Sequence, residues 1–289
     1  MQNPVIATPE VTNHILQRFK LRADKKLGQN FLVDPAVVQG IVEAAELSPS
    51  DTVLEVGPGI GTLTQGLAES GADVVAVELD RRLLPVLDTT LAGYNNVTVV
   101  NEDILQADIK KLSGGKCFKV CANLPYYITT PIIFALLEQR LPIDRLVVMV
   151  QKEVAQRITA KPGGKDYGAL SVAMQYYTDP ELVFIVPPAS FIPQPSVDSA
   201  VIVCRKRQEP PVIVKDEEVF FRVVKAAFSL RRKMLSNSLK NMGIDAAKCQ
   251  QWLEAAGVDG RRRAETLSLE EFAALTNAFV ANDQSLQKL

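Results

Sequence analysis

The tetrapeptide Asn123-Leu124-Pro125-Tyr126 carries residue types that could hold a planar base and orient its exocyclic amine. The side-chain oxygen of Asn123 and a neighbouring backbone carbonyl could accept the two N–H bonds of such an amine. Pro125 has no backbone N–H and restricts Leu124 to an extended shape, which helps to aim the carbonyl groups. Tyr126 offers a face for stacking. This arrangement suits transfer to a ring amine; a plain strand-to-helix turn is the alternative.

A glycine-rich turn, Glu55-Val56-Gly57-Pro58-Gly59-Ile60-Gly61, is a second candidate site. Gly57 and Gly59 permit positive φ and a close approach of a ligand to the main chain, which suits a cofactor. The pattern, an acid two residues before Gly-x-Gly-x-Gly, differs from the Gly-x-Gly-x-x-Gly spacing of nicotinamide and flavin enzymes. A glycine turn without a ligand is the alternative.

Two acids follow the next two predicted strands. Glu78 ends the second strand, 21 residues after Gly57, where a carboxylate typically accepts the ribose hydroxyls of an adenosine-containing cofactor. Asp103 follows the third strand and is placed to contact the adenine. Either acid alone could merely cap the next helix. Because both acids follow the glycine turn on successive strands, binding of a cofactor is favoured over helix capping.

Short apolar runs alternate with helix-compatible stretches, and this alternation decides where the candidate residues lie. The predicted strands are Thr52–Val56, Asp73–Leu79, Val97–Val100, Phe118–Ala122, Arg145–Val150, Glu181–Val186 and Ala200–Arg205. Continuous Val, Ile and Leu runs, each followed by a helical segment, are typical of a parallel sheet covered on both faces. We therefore predict an α/β, doubly wound fold.

The pattern changes to helices alone after Pro210-Pro211. The helices predicted there are Asp216–Ser229, Arg231–Asn241, Ala246–Ala256 and Ser268–Ala281. We predict a catalytic, cofactor-binding domain over residues 1–210, with an N-terminal extension, and a small all-helical domain over residues 211–289. Residues 1–26 are predicted to be a partly ordered lead-in.

Composition narrows the class of protein. Hydrophobic residues make up 47% and charged residues 22% of the 289 residues, which is ordinary for a globular enzyme. No apolar run approaches the roughly 20 residues needed to cross a bilayer, and the N-terminus lacks a secretory signal, so a cytoplasmic protein is expected. The four cysteines lack paired Cys-x-x-Cys spacing and the lone His14 cannot complete a zinc site, so no metal is expected.

Basic clusters stand out against a net charge of −1. Ser229-Leu230-Arg231-Arg232-Lys233 spans the junction of the first two predicted C-terminal helices, and Arg261-Arg262-Arg263 lies further along. Such clusters could contact phosphates, or they could be the solvated face of a helix.

The motifs together resemble a known family. The glycine turn with Asn123-Leu124-Pro125-Tyr126 resembles the S-adenosylmethionine-dependent N6-adenine methyltransferases. With Leu27-Gly28-Gln29-Asn30-Phe31-Leu32 and Phe191-Ile192-Pro193-Gln194-Pro195-Ser196-Val197-Asp198-Ser199 added, the chain is closely similar to the ribosomal RNA adenine dimethyltransferases of the bacterial small-subunit (KsgA) type. The resemblance runs from about Lys20 to the C-terminus.

The resemblance implies a Rossmann-like class I methyltransferase sheet and S-adenosylmethionine as cofactor. It implies cofactor contacts from the N-terminal motif, the glycine turn, the two acids and the catalytic motif, which are Asn30, Leu32, Gly57, Gly59, Glu78, Asp103 and Asn123. The implied reaction is dimethylation of N6 on two adjacent adenosines in the 3′-terminal hairpin loop of 16S rRNA, with a role in small-subunit biogenesis. It supports RNA contacts by Arg231, Arg232 and Lys233 in the helical domain; a monomer is expected.

Phe191 is expected to stack on the face of the base opposite Tyr126, since unpaired bases are commonly held between aromatic or apolar side chains. Ordinary core packing is the alternative for this ring.

Four other functions stay open. One is a DNA adenine methyltransferase, which is disfavoured because no obvious sequence-reading insertion is present. A large-subunit rRNA adenine methyltransferase of the macrolide-resistance type shares Gln29-Asn30-Phe31-Leu32, although Leu124 typically becomes isoleucine there. A ribosome-assembly factor, whose binding matters more than its catalysis, is the alternative from another class. A nicotinamide oxidoreductase is the more distant choice.

Overall fold

The structure, a computed structural model, describes residues 4–24 and 27–282. Its helices are α1 (Pro9–Arg18), α2 (Pro35–Ala45), α3 (Thr62–Glu69), α4 (Leu84–Thr90), α5 (Ile109–Leu112), α6 (Thr129–Glu138), α7 (Lys152–Thr159), α8 (Ala169–Tyr177), α9 (Glu217–Phe228), α10 (Leu235–Ser238), α11 (Ala246–Ala255) and α12 (Leu269–Asn282). Its strands are β1 (Phe31–Leu32), β2 (Thr52–Val56), β3 (Asp73–Glu78), β4 (Val97–Asn101), β5 (Phe118–Asn123), β6 (Ile143–Gln151), β7 (Thr178–Val186), β8 (Phe191–Ile192) and β9 (Ser199–Lys206).

Seven strands form one sheet in the order β4-β3-β2-β5-β6-β9-β7. The pairs from β4 through to β6 are parallel, and β9 runs antiparallel to β6. The chain builds outward from β2 to β4, then returns to the other side of β2 with β5. In open α/β sheets, ligands bind at the carboxyl ends of strands beside such a reversal. The predicted α/β fold with a mostly parallel sheet is confirmed.

The sheet core explains why these runs form strands. Val53, Val74 and Cys121 are almost completely buried, and they pack with α2 residues such as Ile41 in one apolar cluster. Helix α2 begins where Asp34 accepts a hydrogen bond from the backbone N–H of Ala36, with proline at the first helical position. Burial on both faces therefore favours the Val-, Ile- and Leu-rich sequences of the central strands.

The chain packs as two compact units. The first contains the described residues up to Ala155 together with Glu181–Lys206, and the second contains Gln156–Pro180 and the described residues from Arg207 onward. The second unit has its own apolar core around Phe220, Trp252 and Phe272. Packing thus groups residues 156–180 with the C-terminal helices, and the division of roles at residues 210 and 211 stays a prediction.

The start of one predicted helix was wrong, and the predicted lead-in contains a helix. The lead-in contains α1, which Thr8 caps by accepting from the N–H of Val11 and which buries Ile15. The predicted helix from Arg231 begins only at Leu235, because Met234 has an extended backbone with ψ 150°. Within residues 4–24 and 27–282, no helix is long and apolar enough to span a membrane.

Candidate functional site

A cavity in the first unit lies at the carboxyl ends of β2, β3 and β5. It is lined by the predicted catalytic and cofactor residues other than Phe191, namely Asn30, Leu32, Gly57, Gly59, Glu78, Asp103, Asn123, Leu124, Pro125 and Tyr126. The parallel strands bring these residues together because their carboxyl ends meet at one edge of the sheet. Their individual roles stay predictions.

The glycine turn exposes main chain to this cavity. Gly57 has φ +72°, a conformation that side chains rarely adopt, and a Cβ added there would meet nothing within 4 Å. The N–H of Gly59 donates to Oε2 of Glu78 at 3.1 Å, which ties the turn to the end of β3. The open space at Gly57 would let a ligand lie against the backbone.

Glu78 is 6% exposed at the end of β3. Burial raises the pKa of its carboxyl, and the backbone N–H groups of Asp80 and Gly59 partly offset this by donating to it. Each carboxylate oxygen has more than one lone pair and so can still accept from a ligand hydroxyl. Asp103 also lines the cavity, and its Oδ1 accepts from the N–H of Leu105.

Asn123 is oriented by the N-terminal motif. Its amide nitrogen donates to the carbonyl of Asn30 at 3.3 Å, and the amide nitrogen of Asn30 donates to the carbonyl of Gly28 at 3.0 Å. The nitrogen of Asn123 is therefore already engaged. Its side-chain oxygen is the atom that can accept from a ligand.

The two carbonyls that follow differ in availability. The carbonyl of Pro125 accepts from the N–H of Ile128 at 3.2 Å and from the hydroxyl of Thr129 at 3.0 Å, which uses both of its lone pairs. The N–H of Leu124 donates to the Met149 carbonyl of β6 at 3.1 Å. Among the described residues no donor engages the Leu124 carbonyl, so this is the second acceptor beside Asn123.

Tyr126 is half-buried, and its hydroxyl forms a 2.5 Å hydrogen bond with Oγ of Ser199 at the start of β9. Burial raises the pKa of the Tyr126 phenol. Ser199 is completely buried, so the contact fixes one end of the ring. Sequence reasoning placed Ser199 in a motif but gave it no role.

Phe191 lies elsewhere. Its side chain is 1% exposed and packs in the apolar cluster with Leu32, the residue opposite it in the short β1–β8 pairing. This environment is that of the core-packing alternative. Stacking by Phe191 stays a prediction, and it requires the ring to become uncovered.

Tyr127 and Glu55 are among the cavity residues to which the sequence analysis gave no role. Tyr127 is 55% exposed and lines the cavity beside Tyr126, with its ring against Gly28. Glu55 is 1% exposed, and its Oε2 has no hydrogen-bond partner in the part of the chain that the structure describes. Burial raises the pKa of Glu55 to about 8. The tyrosine doublet and the acid before the glycines were the available signals.

The cavity has the features that S-adenosylmethionine requires. Glu78 and the open backbone at Gly57 suit its nucleoside. Among the residues with described positions, no group of three or more His, Cys, Asp or Glu side chains could hold a metal ion.

The basic clusters lie in the second unit and differ from one another. Residues 231–233 are exposed. In the other cluster, Arg261 pairs with Asp259 at 3.0 Å and Arg262 pairs with Glu271. Internal ion pairs thus account for much of the charge of residues 261–263, whereas residues 231–233 keep theirs at the surface.

A mostly parallel sheet with a glycine turn, two acids and the Asn-Leu-Pro-Tyr motif at its strand ends is that of a Rossmann-like class I methyltransferase. A family model described as ribosomal RNA adenine dimethylase matches residues 20–280. The chain therefore belongs to the ribosomal RNA adenine dimethylase family, which confirms the resemblance of the motifs. Fold and family imply catalysis that depends on S-adenosylmethionine.

Named relatives cover nearly the whole chain. Ribosomal RNA small subunit methyltransferase A of Alkaliphilus metalliredigens is 50% identical over 96% of this chain and 98% of its own. The protein of the same name from Bacillus cytotoxicus is 51% identical over 95% of this chain and 97% of its own.

Solved structures show the same fold. The 23S rRNA methyltransferase ErmE is 32% identical with a TM-score of 0.67, covering 86% of this chain and 99% of its own. A dimethyladenosine transferase from Plasmodium falciparum is 26% identical with a TM-score of 0.73, covering 85% of this chain and 95% of its own.

Proposed function

We propose that this protein dimethylates N6 of two adjacent adenosines in the 3′-terminal hairpin loop of 16S rRNA, with S-adenosylmethionine as the methyl donor. The observation that carries the proposal is the orientation of Asn123, whose amide nitrogen is held by the Asn30 carbonyl so that its oxygen can accept from N6. The relatives named small-subunit methyltransferases are 50% identical or more, against 32% for ErmE, which favours the small-subunit target.

The cofactor site is proposed at the strand ends of the first unit. When bound, S-adenosylmethionine supplies a methyl group carried on a sulfonium centre. Glu78 accepts hydrogen bonds from the ribose hydroxyls, and Asp103 contacts the adenine. Asn30, Leu32, Gly57 and Gly59 complete the site.

The target adenine is held by the catalytic motif. Oδ1 of Asn123 and the carbonyl of Leu124 accept the two N–H bonds of N6, since the carbonyl of Pro125 is already occupied. Both acceptors stabilise the positive charge that develops on nitrogen, and Tyr126 stacks on the ring. Alkylation makes the amine acidic, so its proton leaves without a general base of shifted pKa. Positioning and electrostatics therefore provide the rate.

Recognition of the RNA is assigned to Arg231, Arg232 and Lys233, whose charges suit phosphate contacts. The partner is 16S rRNA within the small ribosomal subunit, and the enzyme takes part in small-subunit biogenesis. A monomer in the cytoplasm is the state in which we expect it to act.

The test is methylation of unmodified small subunits with labelled S-adenosylmethionine, followed by mapping of the modified nucleotides. We expect label on N6 of two adjacent adenosines near the 3′ end, with two methyl groups on each, and none on large-subunit RNA. Asn123→Ala should abolish transfer while cofactor affinity by titration calorimetry stays within a few-fold. Label on large-subunit RNA alone would favour the macrolide-resistance type. Full transfer by Asn123→Ala would refute the assignment of Asn123.

A further inference from the structure

Two basic segments of the second unit, distant in sequence, lie against each other. One is the loop Lys161-Pro162-Gly163-Gly164-Lys165, and the other is residues 230–234, which follow α9. The guanidinium of Arg231 donates a hydrogen bond to the carbonyl of Lys165. The structure therefore places beside the predicted RNA-contacting cluster a loop whose last residue is 66 residues from Arg231 along the chain.

Contacts on either side fix the loop in this position. Tyr167, 3% exposed, meets the ring of Phe228 edge to face with centroids 6.1 Å apart, and Phe228 is the last residue of α9. The N–H of Gly163 donates to the carbonyl of Glu265 at 2.7 Å. The amide nitrogen of Gln175 donates to the carbonyl of Ala160, also at 2.7 Å. The loop is held by its backbone, which leaves its side chains outside the packing.

The charges of this pair of segments are not neutralised internally. Lys161, Lys165, Arg232 and Lys233 are exposed, and no acidic side chain among the described residues lies within 4 Å of their charged nitrogens. Asp166 follows the loop directly and is the acid nearest to it in sequence. The neighbouring cluster at residues 261–263 contrasts with this, because its arginines pair with acids of the same unit.

We propose that residues 161–165 and 230–234 form one composite surface that binds the phosphate backbone of the RNA substrate. Lysines are compact point charges on flexible stems, so Lys161 and Lys165 suit neighbouring phosphates without fixed geometry. Leu230 and Met234, 42% and 45% exposed, border the arginines and offer apolar contact to sugars or bases. The inference rests on the proposed rRNA substrate and extends its contacts to a loop outside the predicted helical domain.

The experiment measures binding of a 16S rRNA 3′-terminal transcript to the full chain over a range of salt concentrations. For the Lys161→Gln/Lys165→Gln variant we expect the slope of log affinity against log salt to become shallower by about 1.5, because two phosphate contacts are lost. At 0.1 M salt its affinity for the RNA should be weaker by on the order of ten-fold. Titration with S-adenosylmethionine should give unchanged affinity. Both substituted side chains are exposed, so thermal unfolding should be unchanged.

Two further variants separate the possible outcomes. Lys225→Gln/Lys248→Gln carries the same charge change on exposed lysines of α9 and α11, and it should leave the slope unaltered. Arg232→Gln/Lys233→Gln should lower the slope as the loop variant does. If this variant lowers the slope and the loop variant does not, the composite surface is refuted and the proposed function stands. If neither lowers it, RNA binding by the cluster fails as well. An equal effect of Lys225→Gln/Lys248→Gln would also overturn the inference.

Discussion

The hydrogen bond between the hydroxyls of Tyr126 and Ser199 connects β9 to the tetrapeptide that begins at the end of β5. The O···O distance is 2.5 Å and Ser199 is completely buried. Leaving a buried hydroxyl without its hydrogen-bond partner typically lowers stability by about 1–3 kcal/mol, which is more than an intact hydrogen bond contributes on average. The bond therefore limits the orientations that the Tyr126 ring can adopt.

We predict that Ser199→Ala and Tyr126→Phe each lower kcat/KM for the RNA about five-fold, because about 1 kcal/mol of positioning is lost. The double variant should be no worse than either single variant, since both remove the same bond. Steady-state kinetics on small subunits, with cofactor affinity measured separately, gives the comparison. Additive losses would show that the two residues act independently.

Glu55 predicts a pH dependence of stability. Its pKa is about 8 in the folded chain because it is buried, against 4.5 ordinarily, so between these values the folded chain keeps a proton that the unfolded chain has lost. Rising pH therefore lowers the free energy of unfolding by about 1 kcal/mol per pH unit across this window. Glu55→Gln removes the effect. Urea unfolding at pH 5.5 and pH 7.5 should show that the free energy of unfolding of the variant, relative to that of the wild type, is higher at pH 7.5 than at pH 5.5.

An exposed carboxylate provides the control for Glu55. Glu138, at the end of α6, is exposed, and Glu138→Gln should follow the wild type at both pH values. If the free energies of unfolding of Glu55→Gln and the wild type differ by the same amount at pH 5.5 and pH 7.5, Glu55 does not titrate as predicted in this range.

Chemical type and position on a strand made part of the site predictable. Gly57, Glu78, Asp103 and Asn123 each follow an apolar run, and the parallel sheet brings such positions to one edge. The surroundings of Phe191 could not be predicted, because the sequence of a proline-rich segment is the same whether its aromatic residue stacks on a base or packs in the core. Its burial depends on pairing with β1, a contact between distant residues.

At the scale of elements, the seven strands of the large sheet were predicted because each has a continuous apolar run, whereas β1, β8 and the start of α10 were not. The segment before Leu235 resembles a helix in composition, but the N–H of Leu235 donates to the carbonyl of Arg262 at 2.7 Å, and this tertiary bond fixes where α10 begins. The antiparallel direction of β9 likewise follows from its return path and not from its residues.

The small β1–β8 sheet explains why two distant motifs occur together. Phe31 pairs with Ile192 and Leu32 with Phe191, so the segment after Asn30 is held by the proline-rich segment. The carbonyl of Asn30 is then fixed where it accepts from Asn123. The proline-rich segment thus helps to orient the amide of Asn123 through two strands.

At the scale of the whole molecule, charge must act locally. The chain has 32 basic and 33 acidic residues and a net charge of −1, so it has no overall positive field to attract RNA. The salt dependence of binding should therefore come from particular clusters. The candidate cofactor cavity lies in the first compact unit, and residues 231–233 lie in the second.

We predict that Arg231→Ala/Arg232→Ala weakens RNA binding and makes its dependence on salt shallower by about 1.5 in the log–log slope, while cofactor affinity stays the same. The matched control is Lys110→Ala/Lys111→Ala in α5, which changes the net charge equally but on exposed residues of the first unit. Fluorescence anisotropy with the 16S rRNA transcript from 50 to 200 mM salt measures the slopes. If net charge governed binding, both variants would flatten the slope alike. If residues 231–233 govern it, only the arginine variant will.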